Sequence, residues 1–269
     1  MTISFTDDTS HLAETYDRIS DFQFEGGKRL VERLNLEAGA RVLDVGCGTG
    51  RLARWIAERV SPTGTVVGID PSAERIAIAN ARAGGITFAV GQAEDLGAFA
   101  SESFDAVSMS AVFHWVSDKP RALAEIRRVL RPGGRLGVTT FPGELSGAGT
   151  VPAVLGPVLA RSPYAERVDR SGPGALSRDY TTTRLISMVA ESGLHLAELH
   201  VAARSRHYAT GADVVAFIES SAFGNLSKAV PEELREALRL DLAAAFDARK
   251  GPEGITLRDW GTLFVATRP

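Results

Sequence analysis

The chain has 269 residues, 44% of them hydrophobic and 23% charged, which places it among ordinary soluble globular proteins and suits one large α/β domain with insertions. Thirty basic residues against 33 acidic ones leave a net charge of −3 with no basic run, so nothing prepares the surface for a nucleic-acid backbone and no such partner is expected. The single cysteine, Cys47, excludes an intrachain disulfide and a multi-thiolate metal site, and no metal is expected. Met1 to Ser10 lacks a basic, apolar leader pattern and no stretch approaches a membrane span, so no membrane partner and a cytoplasmic location are expected.

In chain order, Ser10 to Ile19 reads as a short helix and Phe22 to Leu34 as a longer one, weakened at Gly26-Gly27. Val42-Leu43 and Val45 form an apolar run that breaks into glycines at 46, 48 and 50. Leu52, Ile56, Ala57 and Val60 then recur at helical spacing, so the stretch reads as strand, tight turn, helix. A second strand, Thr65 to Asp70, is followed by a helix opening at Pro71-Ser72, and a third strand covers Ile86 to Gly91. Phe104 to Ser110 is the fourth strand, with Ala111 to Val116 as its exit. A helix with Ala122, Leu123, Ile126, Val129 and Leu130 at core spacing leads to the turn Arg131-Pro132-Gly133-Gly134 and a fifth strand, Arg135 to Phe141. Residues 142–180 are rich in Gly and Pro with only short apolar groups, the profile of a functional cover in a compact domain. A helix over Thr183–Gly193 and a strand over Leu194–Ala203 follow, then two helices over 211–222 and 231–250, the second amphipathic through Leu234, Leu238, Leu242 and Phe246. Gly254 to Leu257 and Gly261 to Ala266 read as a final strand, antiparallel at the sheet's edge.

The glycine turn carries the first chemical signal. Glycines admit positive φ and remove β-carbons, so a ligand can lie against bare main chain, with the next helix's free N–H groups favouring an anion. A dinucleotide fingerprint needs its third glycine at position 51, which is Arg. Asp70 ends the second strand 20 positions after Gly50, where a carboxylate can accept both hydroxyls of a ribose. The site therefore suits an adenosine ribose and a modest anion rather than two phosphates.

Asp44-Val45-Gly46-Cys47-Gly48-Thr49-Gly50 with Gly68-Ile69-Asp70 resembles the first two motifs of the class I S-adenosylmethionine-dependent methyltransferases, within them the type 11 group. The resemblance implies a doubly wound, seven-stranded, mostly parallel sheet with S-adenosyl-L-methionine as cofactor and a small-molecule acceptor. It also implies an N-terminal helical lid over 1–35 and a cofactor-binding core over 36–141. A cap insertion over 142–180 and completion of the sheet over 181–269, with a helical cap at 205–250, follow within one structural domain. Tyr16, Asp44, Gly46, Cys47, Gly48, Gly50, Asp70, Pro71 and Ser110 fall at its cofactor positions, and Gln92-Ala93-Glu94 resembles its adenine-edge segment. Cys47 is otherwise a small packing residue, and Gln92-Ala93-Glu94 otherwise a polar loop.

On the acceptor side, the exit of strand four should face the methyl group, because ligands of doubly wound folds bind at the strands' carboxyl ends. No Asn/Asp-Pro-Pro-aromatic segment stands there, which argues against amino methylation of nucleic-acid bases. Phe113-His114-Trp115-Val116, with Tyr16 and Gln23 upstream, resembles the small-molecule carboxyl methyltransferases that include juvenile hormone acid and trans-aconitate methyltransferases. That resemblance implies that Gln23 and Trp115 hold an acceptor carboxylate, which is ionised at neutral pH and needs donors but no base. A hydroxyl acceptor would instead want His114, with a reference pKa of about 6.5, as general base. The alternatives are a packing Trp115, a hydrogen-bonded structural His114 and a Gln23 on a helix surface. His207-Tyr208, with Phe217 and Phe223, could line an apolar pocket. Two rivals of other classes are a non-catalytic cofactor-binding protein and a nicotinamide-dependent oxidoreductase, the latter opposed by Arg51.

Overall fold

The computed structural model describes residues 21–168, 180–219 and 230–269; the helix expected over Ser10–Ile19, Tyr16 and Phe223 lie outside them. Its elements run α1 (Asp21–Arg33), β1 (Arg41–Val45), α2 (Arg51–Val60), β2 (Thr65–Asp70), α3 (Ala73–Ala81), β3 (Thr87–Val90), β4 (Phe104–Ser110) and α4 (Lys119–Val129). There follow β5 (Leu130–Thr140), α5 (Thr150–Leu159), α6 (Thr182–Glu191), β6 (His195–Tyr208), α7 (Gly211–Glu219), α8 (Glu232–Asp247) and β7 (Ile255–Thr267).

One seven-stranded sheet has the order β3-β2-β1-β4-β5-β7-β6. Strands β1 to β5 pair in parallel and β7 runs antiparallel to β5, so the sheet is the doubly wound kind that the motifs imply. The order reverses between β1 and β4, and in such sheets a ligand crevice opens at the carboxyl ends of the strands flanking that point. The glycine turn leaves β1 there, and Ser110 leaves β4 beside it. The final strand differs from expectation in one respect: it lies between β5 and β6, so β6 and not β7 forms the edge.

Both faces are covered, which is why the parallel strands read as nearly unbroken apolar runs. On β1, Val42 joins a cluster with Ala53, Ile56, Ile76 and Phe88, whereas Leu43 and Val45 join one with Val107, Leu123, Ile126 and Phe264. Successive side chains on a strand point to opposite faces, and that alternation sorts them into the two layers. The helices start where side chains can cap them. Ser72 accepts from Arg75 N, Asp118 from Arg121 N and Thr181 from Arg184 N. Helix α5 was not legible: Val151, Val154, Leu155 and Val158 have helical spacing, but Pro152 and Pro157 interrupt it. Pro152 sits in the first turn, where its missing N–H costs nothing, and Pro157 lies only two residues from the helix end.

The contacts divide the chain into two compact units. The first runs through Thr140 and takes up Tyr180–Val201 and Thr262–Pro269; the second begins at Phe141 and takes up Ala202–Gly261. Thus the expected cap insertion and helical cap fall in one unit. Its core holds Val154, Val158, Val214, Leu238, Leu242, Phe246 and Ile255, with the Tyr164 hydroxyl donating to Asp241 Oδ2 at 2.8 Å. Gly211 allows α7 to approach α8 closely: a β-carbon there would lie 2.0 Å from Ala243 O. Tyr208 and Phe217 stack at 5.6 Å within this unit, and His207 Nδ1 meets Thr256 Oγ1 at 3.2 Å.

Leu123, fully buried in the first unit, tests that packing. Leu123→Ala should lower unfolding stability by about 2–5 kcal/mol, through lost transfer energy and the cavity left behind. A urea titration showing a change under about 1 kcal/mol would mean that the α4 face is not packed as described.

Candidate cofactor and acceptor site

The site begins at the turn between β1 and α2. Gly46 N and Cys47 N both donate to Ile69 O, at 2.7 and 2.9 Å, and stitch the turn to the end of β2. Gly46, Gly48 and Gly50 have φ of +72°, +56° and +78°, values that side chains with a β-carbon rarely adopt. Their surroundings differ. A β-carbon at Gly46 would lie 2.2 Å from Val112 Cγ2, and one at Gly50 would lie 2.6 Å from Phe88 Cζ, so both glycines are needed for packing. At Gly48 the nearest heavy atom would be Arg75 Nη1 at 3.9 Å. The room for a ligand against bare backbone is therefore at Gly48 rather than along the whole turn. Helix α2 begins with Gly50 as its N-cap, which has no side chain to cap it.

Asp70, at the tip of β2, is buried and bridges two backbone donors: Gly48 N to Oδ2 and Ser72 N to Oδ1, each at 2.9 Å. Asp44 stands in register with Gly68 on β2 and Ser108 on β4. Burial pushes its carboxyl up to about 7; the Ser108 hydroxyl pulls it part of the way back, and the Asp70 charge adds to the rise. Asp44 Oδ2 and Ser108 Oγ are both buried without a well-formed hydrogen bond. Burial, followed by the charges of Asp44 and Asp70, drives the Cys47 thiol far above its ordinary value, so it is a packing group and not a nucleophile.

Beyond β3, Gln92 is exposed and Ala93 buried. Glu94 Oε1 accepts from Ser117 N at 2.8 Å and Asp118 N at 3.3 Å, which ties the β3 exit to the β4 exit. Pro71 is half-buried just before the Ser72 cap.

At the end of β4, Ser110 Oγ lies 3.5 Å from Thr139 Oγ1. Ala111 is held at φ +58° by Thr139, whose carbonyl and hydroxyl both accept from its N–H. A non-glycine residue in that region costs of order 1 kcal/mol and aims the next residues away from the sheet. Phe113–Trp115 then form a single 3₁₀ turn. His114 is buried and Trp115 half-buried, with ring centroids 4.8 Å apart. His114 Nδ1 lies 3.5 Å from Thr140 Oγ1, which is also hydrogen-bonded to the Tyr180 hydroxyl. Thr140 and Tyr180 were not legible as site residues, because a threonine at a strand end and a tyrosine before a helix carry no motif.

Gln23 is reached from Gly27. Gly27 packs so closely that a β-carbon would lie 2.8 Å from Leu52 Cδ2 and 3.0 Å from Ser110 Oγ. Gln23 stands one turn earlier on the same helix face. Its amide Oε1 is buried with no hydrogen-bond partner. Among the described residues, the structure thus gathers the glycine turn, Asp44, Asp70, Gln92-Ala93, Ser110 and the 113–115 turn at the carboxyl edge of one sheet, with Gln23 on the helix packed against it.

A doubly wound sheet with a glycine turn and a ribose-height carboxylate at its switch point defines a nucleoside-binding α/β protein. Comparison with known proteins narrows this. Residues 43–138 match the family model described as a methyltransferase domain. The chain is 33% identical over 195 residues to the uncharacterized methyltransferase C70.08c of Schizosaccharomyces pombe, an alignment covering 68% of this chain and 70% of that one. It is 36% identical over 157 residues to a ubiquinone/menaquinone biosynthesis C-methyltransferase of Hahella chejuensis, covering 52% of this chain and 63% of that one. The fold is shared with the YcgJ protein of Bacillus subtilis at a TM-score of 0.63 and 17% identity, covering 92% and 98% of the two chains. The chain belongs to the class I S-adenosylmethionine-dependent methyltransferases, and its cofactor is S-adenosyl-L-methionine. Membership excludes the nicotinamide reading.

The residues present suit that cofactor: there is open room at Gly48, an acidic side chain, Asp70, at the tip of β2 beside it, and a buried, under-bonded carboxylate at Asp44 that a cation would satisfy. Gly46→Ala should cost more than about 2 kcal/mol of stability, because strain and the Val112 clash add. Gly48→Ala should cost only about 1 kcal/mol yet weaken S-adenosylmethionine binding in calorimetry; equal stability losses would contradict the different surroundings. Asp44 gives a pH test. Its folded pKa, about 7, lies above the ordinary 3.8, so the native state keeps the proton longer and stability is lost as pH rises through 7. Asp44→Asn removes that loss, so its advantage over the wild type in the unliganded protein should grow from pH 5 to pH 8.5, by on the order of a few kcal/mol. An advantage that is flat or shrinks with pH would show that Asp44 is not buried in this way.

Proposed function

We propose that the protein transfers the methyl group of S-adenosylmethionine to an oxygen of a small organic acceptor, a carboxylate in the reading favoured here. The observation that carries the carboxylate reading is the amide oxygen of Gln23, buried without a hydrogen-bond partner, on the helix face packed against the exit of β4. An amide can present its oxygen or, after a half-turn, its nitrogen at one position. With the nitrogen inward, Gln23 donates to an anionic oxygen, and the Trp115 indole N–H supplies a second donor. Both are neutral donors, which suits an acceptor that is already ionised.

On the cofactor side, the Asp70 carboxylate accepts from the ribose hydroxyls and Gly48 provides backbone without a side chain. Cys47, Pro71 and Ser110 form the walls. Gln92 meets the adenine edge and the small Ala93 lets the ring lie flat, while Glu94 holds the neighbouring loop in place. Asp44 answers positive charge, because a cation beside a buried carboxylate lowers its pKa and removes the cost of ionising it. Tyr16 belongs to this group by sequence position alone. When bound, S-adenosylmethionine supplies an electrophilic methyl on a sulfonium. The chain holds the acceptor in line, keeps water out and orients its lone pair, effects that together reach on the order of 7–11 kcal/mol in well-oriented systems.

A second reading is favoured by the Hahella chejuensis relative, whose name specifies a C-methyltransferase. Methylation at a ring carbon next to a hydroxyl needs a base, for which His114 is the candidate. Incubation with methyl-labelled cofactor and a panel of carboxylic acids, phenols and quinols, followed by mass spectrometry, separates the two. The expected product is an ester cleaved by mild alkali. Gln23→Ala and Trp115→Phe should each lower kcat/KM by about tenfold, the loss of roughly one useful hydrogen bond, and His114→Ala by less. An alkali-stable product with His114→Ala the most damaging variant would establish the second reading, and no product with any acceptor would favour a non-catalytic cofactor-binding protein.

A further inference from the structure

The crossover from β3 to β4 is built unlike the others in the parallel part of the sheet. Helices α2, α3 and α4 fill the connections β1–β2, β2–β3 and β4–β5, whereas residues 91–103 form neither helix nor strand. Parallel strands usually cross over through a helix, which satisfies its own backbone groups; a segment without one needs partners from elsewhere. Here many of them come from one turn of α4. Glu125 Oε2 accepts from Leu96 N at 3.0 Å, and Arg128 donates from Nη2 to Leu96 O at 2.8 Å and from Nη1 to Phe99 O at 2.9 Å. The backbone carbonyl of Arg128 accepts from Glu102 N at 3.0 Å.

Glu125 and Arg128 also hold each other, Nε to Oε1 at 2.9 Å and Nη2 to Oε2 at 2.8 Å. The Arg128 hydrogen bonds keep the Glu125 carboxyl below its ordinary range, so the pair is charged at neutral pH. A surface ion pair three residues apart adds little to its own helix. This one is two-pronged, and it grips both backbone polar groups of Leu96, a fully buried residue, so the chain there has one place to sit. The turn from Gln92 to Asp95, closed by Asp95 N donating to Gln92 O at 3.2 Å, ends immediately before Leu96. Glu94, within that turn, is tied to Ser117 N and Asp118 N just ahead of the same helix. The exposed Gln92 and the buried Ala93 thus stand in a turn whose far end is clamped to α4.

We infer that Glu125 and Arg128 are positioning residues: by fixing Leu96 they set the turn that carries Gln92 and Ala93, and with it how strongly the protein recognises the exocyclic amine of the cofactor's adenine. This deepens the proposed function and rests on its placing of Gln92 and Ala93 at the adenine edge. The methyl acceptor plays no part in it.

Binding of two ligands tests this without any assay of turnover. Calorimetry of the full chain compares S-adenosylhomocysteine with its deamino analogue, whose purine carries hydrogen in place of the exocyclic amine. The wild type should bind the analogue about fivefold more weakly, the loss of roughly one useful hydrogen bond. Arg128→Met should weaken S-adenosylhomocysteine by about the same factor and leave the analogue unchanged, so that the ratio of the two falls to near one. Arg184→Met, which breaks the exposed ion pair with Glu191 elsewhere on the protein, should keep the wild-type ratio. A folded Arg128→Met protein that keeps the ratio, or that loses both ligands alike, overturns the inference. Should Arg128→Met fail to fold, Glu125→Gln decides by the same ratio, because it keeps the side chain's shape and weakens its hold on Arg128; a ratio below the wild type's supports the inference and an unchanged one overturns it. A wild type that binds both ligands equally would instead remove Gln92 and Ala93 from the adenine edge, so failure of that reading is told apart from failure of this one.

Discussion

The arrangement depends on one carboxylate. Asp70 accepts from Gly48 N and Ser72 N, so a single side chain ties the turn after β1 to the start of the helix after β2. Charge-assisted bonds to backbone N–H groups are among the stronger hydrogen bonds, and these two are buried from water. They hold Gly48 at its positive φ with its open side outward, and they let Ser72 cap α3.

Asp44 pushes the other way. A second carboxylate in the neighbouring strand, buried and under-bonded, is a cost that an apolar residue would avoid. Such costs persist where a ligand relieves them, and a cationic cofactor does so. On the proposed reading the pair divides the work: Asp70 positions the turn, while Asp44 answers the positive charge of the cofactor.

Much of this was legible in the sequence because it rests on local signals. The alternation of glycines at 46, 48 and 50, the run ending in Asp70 and the helix periodicities in α2 and α4 each need only a few neighbouring residues to be read. Distinguishing Gly48 from Gly46 and Gly50 was not possible, since the difference lies in Val112 and Phe88, which approach from elsewhere in the chain. The same holds for Glu94, whose partners Ser117 and Asp118 come from the β4 exit, and for the Thr140–Tyr180 pair behind His114. Helix α5 was hidden by its prolines, and the place of β7 inside the sheet could not be read from a strand whose apolar run fits an edge or an interior position equally well.

The family assignment sets the cofactor, whereas the acceptor depends on side chains that differ among proteins sharing the fold. The central claim is nevertheless about the cofactor's seat, and a crystal structure of the protein with S-adenosylhomocysteine tests it most directly. The ribose hydroxyls should lie within hydrogen-bonding distance of the Asp70 carboxylate, with the aminoacyl portion passing over Gly48. Density for that molecule away from the β1 and β2 tips, making no bond to Asp70, would contradict the account.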